Sequence, residues 1–231
     1  MISVIKKKEQ NYYLGNEQHP LPENDSIVLP NLQQPPGEFL WLLLKALLDV
    51  DRRCYRNPDE RANQMNLELD FYSHVSSLWE TSAQLIDDKL MVNSDLVKAI
   101  PDEVKPDLIL NERYGDRQLI AAEFKRNVYS TNSERIFRDF RKLNRITLGY
   151  YSEEYHRNVI GGRYMPYDMG AFVLICGTFE DLKHKLDDKV EDLRTFVNET
   201  LGERRSRIFC ICSPGDGTLE YSTIEDLLLD M

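Results

Sequence analysis

The 231-residue chain is long enough for one domain with a substantial core, and 42% hydrophobic with 29% charged residues is an ordinary soluble balance. A net charge of −10 argues against broad non-specific binding to nucleic acid, so any such contact has to come from a local basic surface. Membrane insertion is not expected. The opening "MISVIKKKEQNYYLG" has no apolar signal-peptide core, and "FLWLLLKALLDV" (39–50) is about two-thirds of a span and carries Lys45. The expected location is cytoplasmic.

In chain order, residues 1–36 carry "HPLPEN" and "NLQQPPGE", and this proline punctuation predicts a loose N-terminal arm with at most short strands. Residues 37–231 read as a single domain. Gly37 and Glu38 open an apolar helix to about Val50, and "DRRCYRNPDE" connects it, broken at Pro58, to a second helix over about 60–86. "NSDLVKAIPDE" reads as a short helical turn closed by Pro101. "KPDLILNERYGDRQLIAAEFKRN" (105–127) reads as a hairpin turning at "RYGD". A third helix is expected over about 133–148, with Ser130, Thr131 and Ser133 as caps. A Tyr- and Gly-rich loop (150–170) leads to the strand "GAFVLICG". The helix "TFEDLKHKLDDKVEDLRTFVNETL", the strand "SRIFCICS", a hairpin turn at "GDGT" and a short amphipathic helix "EDLLLDM" follow. The order predicts an α/β fold with a small mixed β-sheet flanked by helices. Cys54, Cys176, Cys210 and Cys212 lack zinc-site spacing and are read as reduced core residues. The four histidines share no spacing, and His74, beside an apolar stripe, reads as packing.

The hairpin carries the chemistry. Side chains alternate along a strand, which puts Leu119, Ala121, Glu123 and Lys125 on one face, with Ile120, Ala122 and Phe124 on the other. Asp107, Ile109 and Asn111 likewise share a face, and a tight turn near 114–116 lets Asp107 lie across from Glu123. Two converging carboxylates form a hard oxygen site suited to Mg²⁺ (or Mn²⁺), which keeps most of its waters. Lys125, two residues on, stands where it can orient or activate a metal-bound water against a phosphodiester. The competing reading is a solvated strand end with no site.

Pro106–Asp107 followed by "EFK" at 123–125 resembles the PD-(D/E)xK nuclease superfamily, with its restriction-endonuclease-like core. The resemblance covers about 60–180. It implies that Asp107 and Glu123 bind the metal with help from the Phe124 carbonyl, that Lys125 acts on the water, and that the substrate is nucleic acid, DNA foremost. Enzymes of this type often dimerise, so a homodimer is compatible. The superfamily commonly adds an acidic residue on the preceding helix. In "NLELDFYSHVSSLWE" the arc of Leu67, Phe71, Val75, Leu78 and Trp79 encloses Glu68, which makes it the candidate for that acid. A salt bridge to a core cation is the alternative for Glu68.

The helix after the hairpin has an apolar stripe of Ile136, Phe137, Phe140 and Leu143. Between 123 and 145 seven basic residues outnumber three acidic ones, a local +4. Arg135, Arg138, Lys142 and Arg145 are therefore candidates for contacts to nucleic-acid phosphates, with a solvated charged face as the alternative. "DFRKL" (139–143) also resembles DxxKL segments of small bacterial proteins in this superfamily. Taken together, the residues predict a Mg²⁺-dependent nuclease. The alternatives are a non-catalytic member of the same fold, acting as a binding module, and an interaction domain whose basic helix meets an acidic partner.

Overall fold

The computed structural model describes residues 2–8, 11–16, 37–50, 64–93, 105–113, 117–126, 132–148 and 166–231, with the backbone alone for 11–16 and 64–70. The expected "NSDLVKAIPDE" helical turn, the "DRRCYRNPDE" connection, the hairpin turn and the Tyr- and Gly-rich loop lie wholly or mostly outside those residues, as does Cys54.

Eight strands form one mixed sheet in the order β2-β1-β8-β7-β6-β5-β4-β3. They are β1 (Ser3–Lys8), β2 (Asn11–Asn16), β3 (Leu90–Asn93), β4 (Leu108–Glu112), β5 (Gln118–Arg126), β6 (Met169–Ile175), β7 (Ile208–Ser213) and β8 (Thr218–Thr223). Pairs β5–β6 and β6–β7 are parallel, and the other pairs are antiparallel. Parallel neighbours need a crossover. The first is α3 (Ser133–Leu148), and the second opens with α4 (Phe179–Leu186) and continues through α5 (Val190–Thr195). The all-apolar "MGAFVLI" of β6 is buried along its whole length, as a strand covered on both faces must be.

Two cores result, one on each face. On the first lie α1 (Gly37–Asp49) and α2 (Gln64–Gln84), packed on Leu108, Leu110, Ile120, Ala122 and Phe124. Apart from Glu38, Lys45 and Asp49, α1 is apolar and mostly buried, so "FLWLLLKALLDV" is an interior helix. No helix among the described residues is long and apolar enough to cross a membrane. α2 buries Phe71, Val75, Trp79 and Ala83, one every fourth residue. That stripe is narrow enough to leave His74 exposed instead of packed. On the second face, α3, α4, α5 and α6 (Ile224–Leu229) cover Ile109, Ala121, Phe172, Leu174, Cys210 and Cys212. Helix α3 comes close to the sheet where β6 has Gly170: a Cβ there would stand 3.2 Å from Leu143 Cβ.

Several elements differ from expectation. The first sixteen residues do not stand off as an arm, because β1 and β2 form a hairpin whose first strand pairs with β8 (Ser3 opposite Tyr221). Ile2 and Ile5 are buried, and Lys7 reaches Asp49 of α1 at 2.6 Å. The long helix expected after β6 breaks into α4, a 3-10 turn, α5, a π-helical turn and a further 3-10 turn before Ile208. The cap of α3 is Asn132, whose Oδ1 accepts from the Arg135 N–H at 3.0 Å, whereas Ser133 donates to Asp188. Leu119 leaves the Glu123 face, because the β4–β5 register slips between Leu110 and Asn111 and this bulge turns it into the first core. Cys176, Cys210 and Cys212 are in no disulfide; Cys210 and Cys212 are buried and Cys176 is half-buried.

Candidate metal and phosphodiester site

The register places the hairpin charges together. Leu108 lies opposite Ala122 and Ile109 opposite Ala121, which brings the start of β4 beside Glu123, near enough for the Asp107 charge to act on the Glu123 carboxyl. The Asp107 N–H donates to the Ala122 carbonyl at 3.0 Å, one residue off that ladder, so Asp107 and Leu108 both stand against Ala122 where β4 begins. Asp107 Oδ2 accepts from the Phe124 N–H at 2.8 Å, so its carboxylate is fixed at the start of β4. The Phe124 ring points to the other face, edge-on to Phe71 (6.3 Å) and Tyr72 (5.3 Å) of α2. This aromatic packing anchors β5 from behind and leaves Glu123 and Lys125 facing α3.

Glu123 is 1% exposed, a burial that an ionised carboxylate tolerates only with a partner. That partner is Lys142 of α3, whose Nζ forms an ion pair with Oε1; Oε2 has no hydrogen-bond partner among the described residues. Burial, reinforced by the Asp107 charge and opposed by Lys142, pushes the Glu123 carboxyl up to about 8. Lys125 is held separately. Its Nζ lies 3.0 Å from Asp139 Oδ2 and 3.4 Å from the Phe124 carbonyl oxygen. Burial alone would lower the Lys125 pKa, but Asp139, then Asp107 and Glu123, outweigh it, so the ammonium is raised above its ordinary value. Burial raises Asp139 against the pull of Lys125 and Lys142. The site thus holds three carboxylates and two ammonium groups.

The sequence-predicted residues Asp107, Glu123, Phe124 and Lys125 come together. The side chain of Glu68 lies outside the described residues; its helix, α2, packs on the face opposite the one that carries Glu123. Arg135, Arg138 and Arg145 are exposed on α3, as is Arg141, which stacks on Phe137 at 4.3 Å. Lys142 parts company with them and turns inward onto Glu123. Asp139 is a site residue that the sequence reading left out. Its signal was available: Asp139 and Lys142 stand three apart at the margin of the apolar stripe, on the helix that follows the Glu–Lys strand.

The donor set can be weighed against a divalent ion. Two carboxylates and a main-chain carbonyl are hard oxygen donors, and the buried, unpartnered Glu123 Oε2 is an oxygen that a cation would satisfy. No group of three or more His, Cys, Asp and Glu side chains among the described residues is arranged to hold a metal. Asp107, Glu123 and the Phe124 carbonyl alone would leave most of the shell of a hard divalent ion such as Mg²⁺ or Mn²⁺ to water. No family model, curated protein or solved structure matches this chain, so its functional reading stands on the geometry of Asp107, Glu123, Lys125, Asp139 and Lys142.

Proposed function

We propose that the chain is a Mg²⁺-dependent nuclease of restriction-endonuclease-like type that hydrolyses nucleic-acid phosphodiester bonds, with DNA as the expected substrate. The observation that supports this reading is the nearness of Asp107 to Glu123, with Lys125 on the face of Glu123 and a buried Glu123 oxygen that has no hydrogen-bond partner among the described residues. A mixed sheet with helices on both faces agrees with the resemblance to the PD-(D/E)xK superfamily.

Asp107, Glu123 and the Phe124 carbonyl would hold the ion, which supplies charge neutralisation at the phosphate and lowers the pKa of a bound water. The Phe124 N–H fixes Asp107 in one orientation. Asp139 keeps Lys125 charged and aimed along the site face, where its ammonium can position an attacking water or bind a phosphate oxygen. Exposed Arg135, Arg138 and Arg145 give the neighbouring helix a cationic surface for the backbone of the substrate.

Cleavage of mixed DNA and RNA substrates with Mg²⁺ or Mn²⁺ tests the proposal, wild type beside Asp107→Ala and Lys125→Ala. Cleavage by the wild type and its loss in both folded variants is the expected result. Absence of cleavage together with absence of metal binding by calorimetry would transfer the assignment to a non-catalytic member of the same fold. One observation favours that second reading: both lysines of the site are engaged in ion pairs within the protein.

A further inference from the structure

We infer that Lys142 is the exchangeable counter-cation of Glu123: it neutralises the buried carboxylate while no divalent ion is bound and gives the carboxylate up when one binds. This rests on the reading of Asp107 and Glu123 as a divalent-ion site.

Three observations converge on it. Glu123 is almost fully buried and close enough to Asp107 for the two charges to interact, so an uncompensated pair would repel. The cation that meets Glu123 comes from α3 and not from the sheet; it approaches Oε1, and Oε2 has no hydrogen-bond partner among the described residues. Lys142 is also the less buried member of the pair, its side chain 15% exposed against 1% for Glu123. A lysine is a compact point charge on a flexible stem, so it can leave for solvent without moving α3. Lys125 is not equivalent to it, because Asp139 restrains its ammonium elsewhere on the same face.

A cation that occupies Glu123 competes with any other. If Lys142 holds the carboxylate about nine-tenths of the time, the apparent affinity for a divalent ion falls about tenfold. Removing the ammonium should therefore strengthen metal binding, the opposite of what loss of a supporting residue would do. Lys142 would then act as a positioning residue that keeps the empty site folded and sets the threshold at which it loads.

The test is calorimetric titration of the full chain with Mn²⁺ alone at pH 8.5, above the value of about 8 to which the Glu123 carboxyl is raised, comparing wild type, Lys142→Met, Lys142→Gln, Lys142→Arg and Asp107→Asn, with circular dichroism to confirm folding. Lys142→Met and Lys142→Gln should bind Mn²⁺ about tenfold more tightly than wild type. Lys142→Arg, which retains the charge, should bind no more tightly than wild type. Unchanged or weakened binding in the folded Met or Gln variant, with wild-type binding present and abolished by Asp107→Asn, would overturn this inference alone. Absence of Mn²⁺ binding in every variant would overturn the divalent-ion reading and the inference with it. Unfolding of both neutral variants would mark Lys142 as a fixed structural counter-ion and also overturn it.

Discussion

Replacing Glu123 by Gln should stabilise the metal-free protein, and the gain should depend on pH. The Glu123 carboxyl is raised from 4.5 to about 8 in the folded state, chiefly by burial. A group whose folded pKa lies above its unfolded value favours the native state fully below the unfolded pKa, and that contribution is lost as pH rises through the folded one. Between about pH 4.5 and pH 8 the wild type therefore loses stability, because its unfolded chain ionises freely and its native state does not. At ~1.4 kcal/mol per unit the shift sets a ceiling of roughly 5 kcal/mol on the penalty at alkaline pH. Gln keeps the shape and removes the charge, but Lys142 then loses its partner. Its ammonium can turn to solvent, so much of the gain should survive, about 2 kcal/mol net, or roughly 4–8 °C in Tm for a chain of this size. Thermal unfolding in chelator at pH 8.5 and pH 4.5 measures it, with a small difference expected at the lower pH. A Glu123→Gln variant less stable than wild type at pH 8.5, by the ~3–5 kcal/mol of a broken buried ion pair, would refute the reasoning. So would a difference of equal size at both pH values.

Other substitutions probe the same neighbourhood. Asp139→Asn removes the charge that fixes Lys125 at 3.0 Å. It should lower kcat about 10–100-fold while leaving Mn²⁺ affinity unchanged, and an equal loss of both would contradict a role confined to Lys125. Gly170→Val adds a side chain where a Cβ alone would stand 3.2 Å from Leu143 Cβ. Displacement of α3 should cost ~1–3 kcal/mol, visible as a lower Tm, and should weaken Mn²⁺-dependent activity because α3 carries Asp139 and Lys142. A neutral outcome in both assays would show that α3 does not need its close approach to β6.

The parts of the site that were legible in the sequence are those written in strand alternation. Glu123, Lys125 and Asp107 follow a period of two over segments long enough to fix a face, and the apolar stripe of α3 follows its own period well enough to set the helix at 133–148. What alternation could not show was the bulge that turns Leu119 over, since the pattern of "QLIAAEF" is apolar on both sides at that point. β3 is four residues long, too short for any period, and β8 is half-buried, with polar residues through its middle. Lys142 was misgrouped for a different reason: a helical wheel places Cβ atoms, and a lysine ammonium reaches well beyond its own sector. Its inward turn depends on Glu123 being buried beside it, a tertiary fact absent from either segment taken alone.

The pairing of Ser3 with Tyr221 has a consequence for how the molecule comes to be folded. Strand β1 is made before its neighbour β8, which follows only after every strand and helix that lies between Lys8 and Thr218. Contacts of such high sequence separation are slow to form, because the intervening loop must close before they reward it. The antiparallel β3–β4–β5 segment, whose connections are local, can assemble well before the sheet is complete. During that interval the β1–β2 hairpin, with its apolar Ile2 and Ile5, waits without its place in the sheet, and β8 presents an open edge until β1 pairs with it. The order of synthesis thus makes this seam the late and vulnerable step, where a nascent chain is most exposed to mispairing with a second copy of itself.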